Sequence, residues 1–319
     1  VDVCHADARG LVRIRGYRRV MARARITDTS LREFVLRLGQ DHPPIQLGSV
    51  DRTVHDPAAV VSRFGGVINY LARVELEVDR NVLELLTLLP EASETDRIFY
   101  QDIWYHQEMA HGDILDQLQR DIGMVAAEPY MEVSNEMRLL GALSRLSPIH
   151  DVVRMLYYLT GAATERQAVL AYSQFIKGLD EMGERAISET IIHPIKRQEP
   201  GHFAFYRMSA EQMVQDGLLR PWQRFLVRVL RRHSFSLVGT NGREDWRAQM
   251  GEVITALNFD DELQLYARDI GRVEQQILYA QAQGMHFPPY ILEALRESVD
   301  LYRGQRGWER PGESVVLSG

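Results

Sequence analysis

The chain reads as an all-α protein: a bundle of four long helices with additional helices towards the C-terminus. Three observations predict this class. Apolar residues recur at helical spacing along most of the sequence, while alternating β-branched runs bounded by turn residues are hard to find. Four predicted helices approach about thirty residues, where a globular helix averages about eleven or twelve, and long helices of matched length suggest a bundle. With 45% hydrophobic and 25% charged residues among 319, a sizeable core is available to one large or two modest domains.

The elements follow in order. Residues 1–56 are expected to form a basic N-terminal extension, because Arg9 to Arg25 holds seven arginines and no acid. A docking arm, a transit-type leader and a solvated helix face all fit that composition. The irregular stretch "DHPPIQLG" (41–48) separates it from a first long helix, predicted over 57–89, which opens at "HDPAAVV" and stops at Pro90. A second helix is predicted over 93–122, with Ser93 or Thr95 as cap, a third over 148–177 and a fourth over 181–216. These make a bundle domain of 57–235. Shorter helices over 221–233, 244–255, 259–284 and 288–303 follow, so that 236–319 packs on the bundle and ends in a tail.

Composition removes several classes of function. A net charge of −7 argues against a general nucleic-acid binder. No apolar run is long enough for a membrane span, and the N-terminus lacks the apolar stretch of a secretory signal. A single cysteine, Cys4, leaves no disulfide framework and no thiolate cluster, so a reducing cytoplasm is the expected compartment.

The chemistry is carried by carboxylates and histidines. "HQEMAH" (106–111) is not a zinc-protease motif, which needs histidines four apart with a glutamate directly after the first. Glu108 and His111, however, stand at i and i+3 and share a helix face. The fourth helix repeats the pair as Glu199 and His202 in "KRQEPGHFAFY". The helix before each pair adds a glutamate in an apolar setting. Glu165 in "GAATERQAVLAY" lies on the stripe of Leu156, Val169 and Tyr172, and a carboxylate there needs a partner. Glu75 continues the row of Ile68, Leu71 and Val78, and is preferred to Glu77, which lies about 160° around the helix. One glutamate from each of two helices and Glu-x-x-His from each of the other two is the ligand set of dinuclear carboxylate bundles. Four anionic carboxylates nearly cancel the charge of two divalent irons, and the imidazoles leave positions open for dioxygen.

These segments resemble soluble acyl-carrier-protein desaturases. "HQEMAHGDILDQL" is similar to their Glu-x-x-Arg-His-Gly-Asp helix, "GAATERQAVLAY" to their Gln-Glu-Arg-Ala-Thr segment, and "KRQEPGHFAFYRM" to their Asp-Glu-x-Arg-His-Glu segment. The resemblance covers roughly residues 60–235. It implies a ferritin-like fold, two iron ions held by Glu75, Glu108, His111, Glu165, Glu199 and His202, and dioxygen as co-substrate in C–H oxidation of an apolar, carrier-bound acyl group. It also implies an external electron donor such as ferredoxin, acyl carrier protein as partner, and a homodimer. The chain departs from the pattern at Ala110 and Gly201, where arginine is expected, at Gln198 in place of aspartate, and at Ala168 in place of threonine. These departures bear on desaturation as the outcome, leaving hydroxylation or N-oxygenation of a small intermediate open, along with a non-catalytic metal-binding or structural bundle. Leu115 stands where a radical-bearing reductase subunit would carry tyrosine, and Ile195 where an arylamine oxygenase would carry a further histidine.

Other residues carry secondary expectations. Pro200 removes a backbone donor between two ligands, which predicts a kink or π-type bulge within one turn of Glu199. His106 reads as a surface histidine or one that supports a ligand. Trp104 and Tyr105 suit core packing or electron transfer, and Phe203, Phe205 and Tyr206 suit packing or the lining of a substrate channel. Arg224, Arg228, Arg231 and Arg232 form a basic stripe opposite Phe225, Leu226 and Val229, either a solvated face or a docking surface for an acidic partner.

Overall fold

The computed structural model describes residues 25–89, 92–133 and 135–305. The arginine-rich segment before Arg25, Cys4, the helix stop at Pro90 and the tail from 306 lie outside the described residues. No strand occurs among the described residues, and none of their helices is long and apolar enough to cross a membrane.

Helix α1 (Asp28–Asp41) is closed at its start by a reciprocal capping box between Thr27 and Ser30. It lies across the bundle, so that the expected N-terminal extension contains a packed helix. Its Leu38 side chain sits where a Cβ on Gly201 would be, 2.2 Å from the leucine Cδ1, so glycine is what lets this helix approach. Helix α2 (Pro57–Leu76) begins with Asp56 capping the Ala59 N–H and with proline at its first position.

The sequence predicts one helix over 57–89, but the structure breaks it at Glu77. Its N–H bonds the carbonyls of Val74 and Glu75, and α3 (Val78–Leu88) starts afresh. Glu77 is buried between Arg73 at 2.7 Å and Arg80 at 2.6 Å, and it accepts a further bond from Asn241 at 3.1 Å. The tightened turn lets one carboxylate hold both guanidiniums.

Helix α4 comprises Glu94–Arg97, a π-helical stretch Ile98–Trp104 and Tyr105–Asp121, run together as one rod. Ser93 caps it in a box with Asp96. Short α5 (Asn135–Ser144) leads into α6 (Ser147–Met182), which ends on Gly183 at φ 80, the left-handed stop that glycine tolerates. Helix α7 repeats the design of α4: Arg185–Ile187, a π-helical stretch Ser188–Ile192, then His193–Gln215. Then come α8 (Pro221–Ser234), α9 (Glu244–Ala256), α10 (Leu263–Leu278) and α11 (Pro289–Gln305).

Helices α2 and α4 pack along each other, as do α6 and α7, and the two pairs face each other as the predicted four-helix bundle. Helix α9 lies on α2 and α10 on α6, joined by α11. Two apolar cores fill the interior. One gathers Ile68, Leu71, Leu115, Leu118, Tyr172 and Ile195. The other gathers Val78, Phe99, Tyr100, Leu156, Phe205 and Tyr206. Along each bundle helix the chemistry-bearing residues fall between the two cores, as a polar layer with apolar packing above and below.

Candidate metal centre

All six residues singled out from the sequence meet in that layer. Every one of them is buried, and both histidines are fully so. They form two quartets of potential ligand atoms, Glu75, Glu108, His111 and Glu199, and Glu108, Glu165, Glu199 and His202, with the atoms of each quartet within 4.8 Å of one another. Glu108 and Glu199 belong to both. Glu108 places Oε2 3.3 Å from Nδ1 of His111 and Oε1 2.9 Å from Nδ1 of His202. Glu199 does the same, with Oε1 3.4 Å from His111 Nδ1 and Oε2 3.4 Å from His202 Nδ1. Each of these carboxylates therefore spans the two sides. Glu75 stands on the His111 side, with Oε2 3.9 Å from Nδ1, and Glu165 on the His202 side at 3.6 Å. Glu77, the alternative to Glu75, points to its own arginine pair and takes no part.

The residues fit a pair of cations. Oε1 of Glu108, Oε1 of Glu199 and Nδ1 of both histidines are buried polar atoms with no hydrogen-bond partner, all turned towards one another. Such atoms are costly unless something cationic or protic joins them. Four carboxylates would balance two divalent ions. Burial pushes the Glu75 carboxyl well above its usual range, and the neighbouring Glu108 adds to this. Burial and Glu108 likewise raise Glu199. Burial works on Glu108 in the same direction, but hydrogen bonding from Glu75 and the charge of His202 hold it well below the usual range. His202 is opposed by burial, yet Glu108, Glu165 and Glu199 carry it well above the ordinary imidazole value.

The elements explain the convergence. On α4, Phe99, Tyr100, Ile103, Trp104, Gln107, Glu108 and His111 all face inward. A row at 100, 104 and 108 would drift around an α-helix by about 40° per step. The wider turn over Ile98–Trp104, where the Tyr105 N–H bonds the Tyr100 carbonyl, absorbs that drift and delivers Glu108 to the interior. The π-helical stretch of α7 ends at Ile192, well before Glu199. This corrects one part of the expectation from Pro200: α-helix is assigned from His193 to Gln215, with no π-type bulge within a turn of Glu199. Pro200 is exposed, so the carbonyl it leaves unbonded lies on the solvent side of the bundle.

Tyr172, unremarked in the sequence beyond its place on the α6 stripe, donates its hydroxyl to Oε1 of Glu75 at 2.5 Å and fixes that carboxylate. The imidazole Nε2 atoms bond Gln198 and Gln107, at 2.7 and 2.6 Å. A signal for these amides stood in the sequence, since both motifs read Gln-Glu-x-x-His.

A chamber of about 80 Å³ adjoins the centre on its carboxylate side. Glu75, Glu108, Glu165 and Glu199 form its polar end, and its walls include Leu71, Val74, Trp104, Ala168 and Ala171. Val238, Met250, Val253 and Tyr266 close it, so the C-terminal helices complete a cavity that the bundle alone leaves open. The histidines are not in its wall. Neither are Phe203, Phe205 and Tyr206, and for Phe205 and Tyr206 the packing reading fits. Phe205 stacks on Phe99 with ring centroids 3.7 Å apart, and Tyr206 packs edge-on to both.

His106 is exposed and outside the centre, in keeping with its reading as a surface histidine. The arginine stripe on α8 is interrupted, because Arg231 is buried in an ion pair with Glu274 at 2.8 Å and donates to Thr160 at 2.9 Å. The inward face of α8 is Gln223, Val227 and Arg231, while Phe225, assigned to that face from the sequence, is 65% exposed. Comparison with protein-family models, curated proteins and solved structures finds no match to this chain.

Proposed function

We propose that the chain is a ferritin-like di-iron oxidoreductase that uses dioxygen to oxidise a small apolar group. The observation that carries this reading is the pair of ligand quartets sharing Glu108 and Glu199, buried between two apolar cores beside an apolar chamber. Glu75 and His111 would complete one iron site, Glu165 and His202 the other. Bound there and reduced by an external donor, a pair of irons would supply electrons to dioxygen and the oxidising power for attack on an unactivated C–H bond. The protein's own part is positional. Glu108 and Glu199 tie the two sites together, the histidines close them on the far side, and the chamber aligns an apolar substrate against the carboxylate face while excluding bulk water.

The chamber bears on substrate size. At about 80 Å³ it is smaller than the about 150 Å³ engineered cavity that holds a benzene molecule. It therefore favours a short alkyl group, or the end of a longer chain, over a whole fatty acyl chain laid through the bundle. The resemblance to acyl-carrier-protein desaturases supplies the acyl reading in that restricted form, with ferredoxin or a similar protein as electron donor and acyl carrier protein as a partner.

The test is reconstitution with ferrous iron, followed by oxygen uptake under a chemical reductant with and without short-chain acyl thioesters. The proposal expects about two irons per chain, the number this ligand set supports, and uptake that is lost in Glu108→Ala. A parent protein that binds iron but consumes no oxygen under any of these conditions would overturn the catalytic reading. Failure to bind iron would overturn the centre itself.

A further inference from the structure

The glutamine that opens each Gln-Glu-x-x-His motif does not serve the histidine of its own motif. Gln107 on α4 reaches His202 on α7, Oε1 to Nε2 at 2.6 Å, while Gln198 on α7 reaches His111 on α4 at 2.7 Å. All four side chains are buried.

The direction of these bonds is set from outside the bundle. The turn that follows α1 lays two backbone carbonyls against the amides: Gln198 Nε2 donates to Pro43 O at 2.8 Å, and Gln107 Nε2 donates to His42 O. A carbonyl accepts and cannot donate, so each amide must turn its NH₂ to the turn and its oxygen to the imidazole. That oxygen also accepts only, so Nε2 of each histidine must carry a proton. Nδ1 is left as the free nitrogen, and in both rings it is Nδ1 that faces the carboxylates without a hydrogen-bond partner.

Resting on the metal centre proposed above, we infer that Gln107 and Gln198 are crossed positioning residues, anchored by the 42–43 turn, which hold each opposite imidazole with Nδ1 offered to the metal and do so without adding charge. Neutrality is what separates an amide from a carboxylate here. Either group offers an oxygen to Nε2–H, but a carboxylate would turn its second oxygen against a backbone carbonyl and add a negative charge. Four glutamates already balance two divalent ions, so the amides keep the reduced centre near neutral. The oxidised centre then carries excess positive charge in a low-dielectric layer, which favours the reduced state.

The test loads the full chain, selectively ¹⁵N-labelled at histidine, with zinc alone, and reads ring-nitrogen shifts and zinc affinity. The parent should bind two zinc ions, with protonated Nε2 and metal-bound Nδ1 in His111 and His202. Gln107→Leu should disturb the ring of His202 and leave His111 as in the parent, and Gln198→Leu should do the reverse. Each should weaken zinc binding by about tenfold or more, the usual effect of removing a group that orients a ligand. Gln107→Glu and Gln198→Glu, nearly isosteric and still able to accept from Nε2–H, should keep the tautomer while lowering the reduction potential of the iron-loaded protein. They decide the matter where a leucine variant fails to give a cooperative melt. Leucine variants that bind zinc like the parent, or that disturb the histidine of their own motif, overturn the crossed clamp alone. The same holds for glutamate variants with an unchanged potential. A parent that binds no zinc overturns the metal centre and the clamp with it.

Discussion

Glu75, in the last turn of α2, and Glu77, at the break between α2 and α3, sit two residues apart, are both buried, and are assigned opposite tasks, so neutralising each in turn should produce opposite phenotypes. Glu77 pairs with Arg73 and Arg80 at 2.7 and 2.6 Å and accepts from Asn241 at 3.1 Å. Its side chain is 2% exposed and those of the arginines 5% and 8%, so solvent screens these pairs little. Glu77→Gln keeps the shape but leaves the buried Arg73 without a counter-charge and Arg80 with Glu84 alone, 3.9 Å from its Nε. Breaking a buried pair in this way costs about 3–5 kcal/mol. For a chain of this size each kcal/mol moves the melting temperature by about 2 °C, so a fall of about 6–10 °C is expected. Metal stoichiometry should be that of the parent. Glu75→Gln should behave inversely. Burial pushes that carboxyl towards its neutral form, and glutamine can still accept from Tyr172, so the melting temperature of the metal-free protein should hold within about 2 °C. Bound metal should drop from two ions towards one, because only the His202 quartet remains whole. Differential scanning calorimetry and elemental analysis on the same preparations read both quantities. Loss of metal in Glu77→Gln at an unchanged melting temperature, with Glu75→Gln indistinguishable from the parent, would refute the assignment of the two carboxylates.

The remaining predictions are these. Glu75 and Glu199 titrate well above their ordinary 4.5 and His202 well above its ordinary 6.5, so the folded metal-free chain holds protons that the unfolded chain releases. Their stability contribution is full at low pH and is lost as pH rises, while that of Glu108, held below 4.5, is already complete above that value. The melting temperature of metal-free protein should therefore fall as pH rises above the ordinary carboxylate value of 4.5, and apparent metal affinity should rise in the same direction as metal displaces protons, both measurable by calorimetry. Tyr172→Phe removes the donor to Glu75, and a hydrogen bond to a charged group contributes about 1.5–3 kcal/mol. Titration should show metal affinity at the Glu75 and His111 site weakened by about tenfold or more. Arg231→Met leaves Glu274 buried and unpaired, and urea unfolding should show a loss of about 3–5 kcal/mol with metal content unchanged.

Much of the candidate centre is legible in the sequence because its residues obey local rules. Glu108 and His111, and Glu199 and His202, are each a turn apart on one helix, and Glu75 and Glu165 interrupt apolar rows that have no other use for a charge. The features that were not legible depend on distant partners. The carbonyls of His42 and Pro43 reach Gln107 and Gln198 only after α1 has folded across α7. Val238, Met250 and Tyr266 belong to the chamber through the packing of the C-terminal helices, which no spacing along the bundle announces. Arg231 was placed outside because it is charged, although its phase with Gln223 and Val227 is that of the inward face; the partner that permits burial, Glu274, lies on α10. Pro200 misled for a different reason. A proline costs a helix one hydrogen bond, but on an exposed face water can take the freed carbonyl and the helix continues through it.

The most direct test of the account is anomalous diffraction from crystals of the full chain soaked with ferrous iron under anaerobic conditions. Two peaks are expected about 3.5–4 Å apart, the spacing of two-metal sites. One should be bounded by Glu75 and His111, the other by Glu165 and His202, with Glu108 and Glu199 touching both. A single peak, or iron bound away from these six residues while the polar layer keeps its protons, would contradict the claim that this bundle is built around a dinuclear centre.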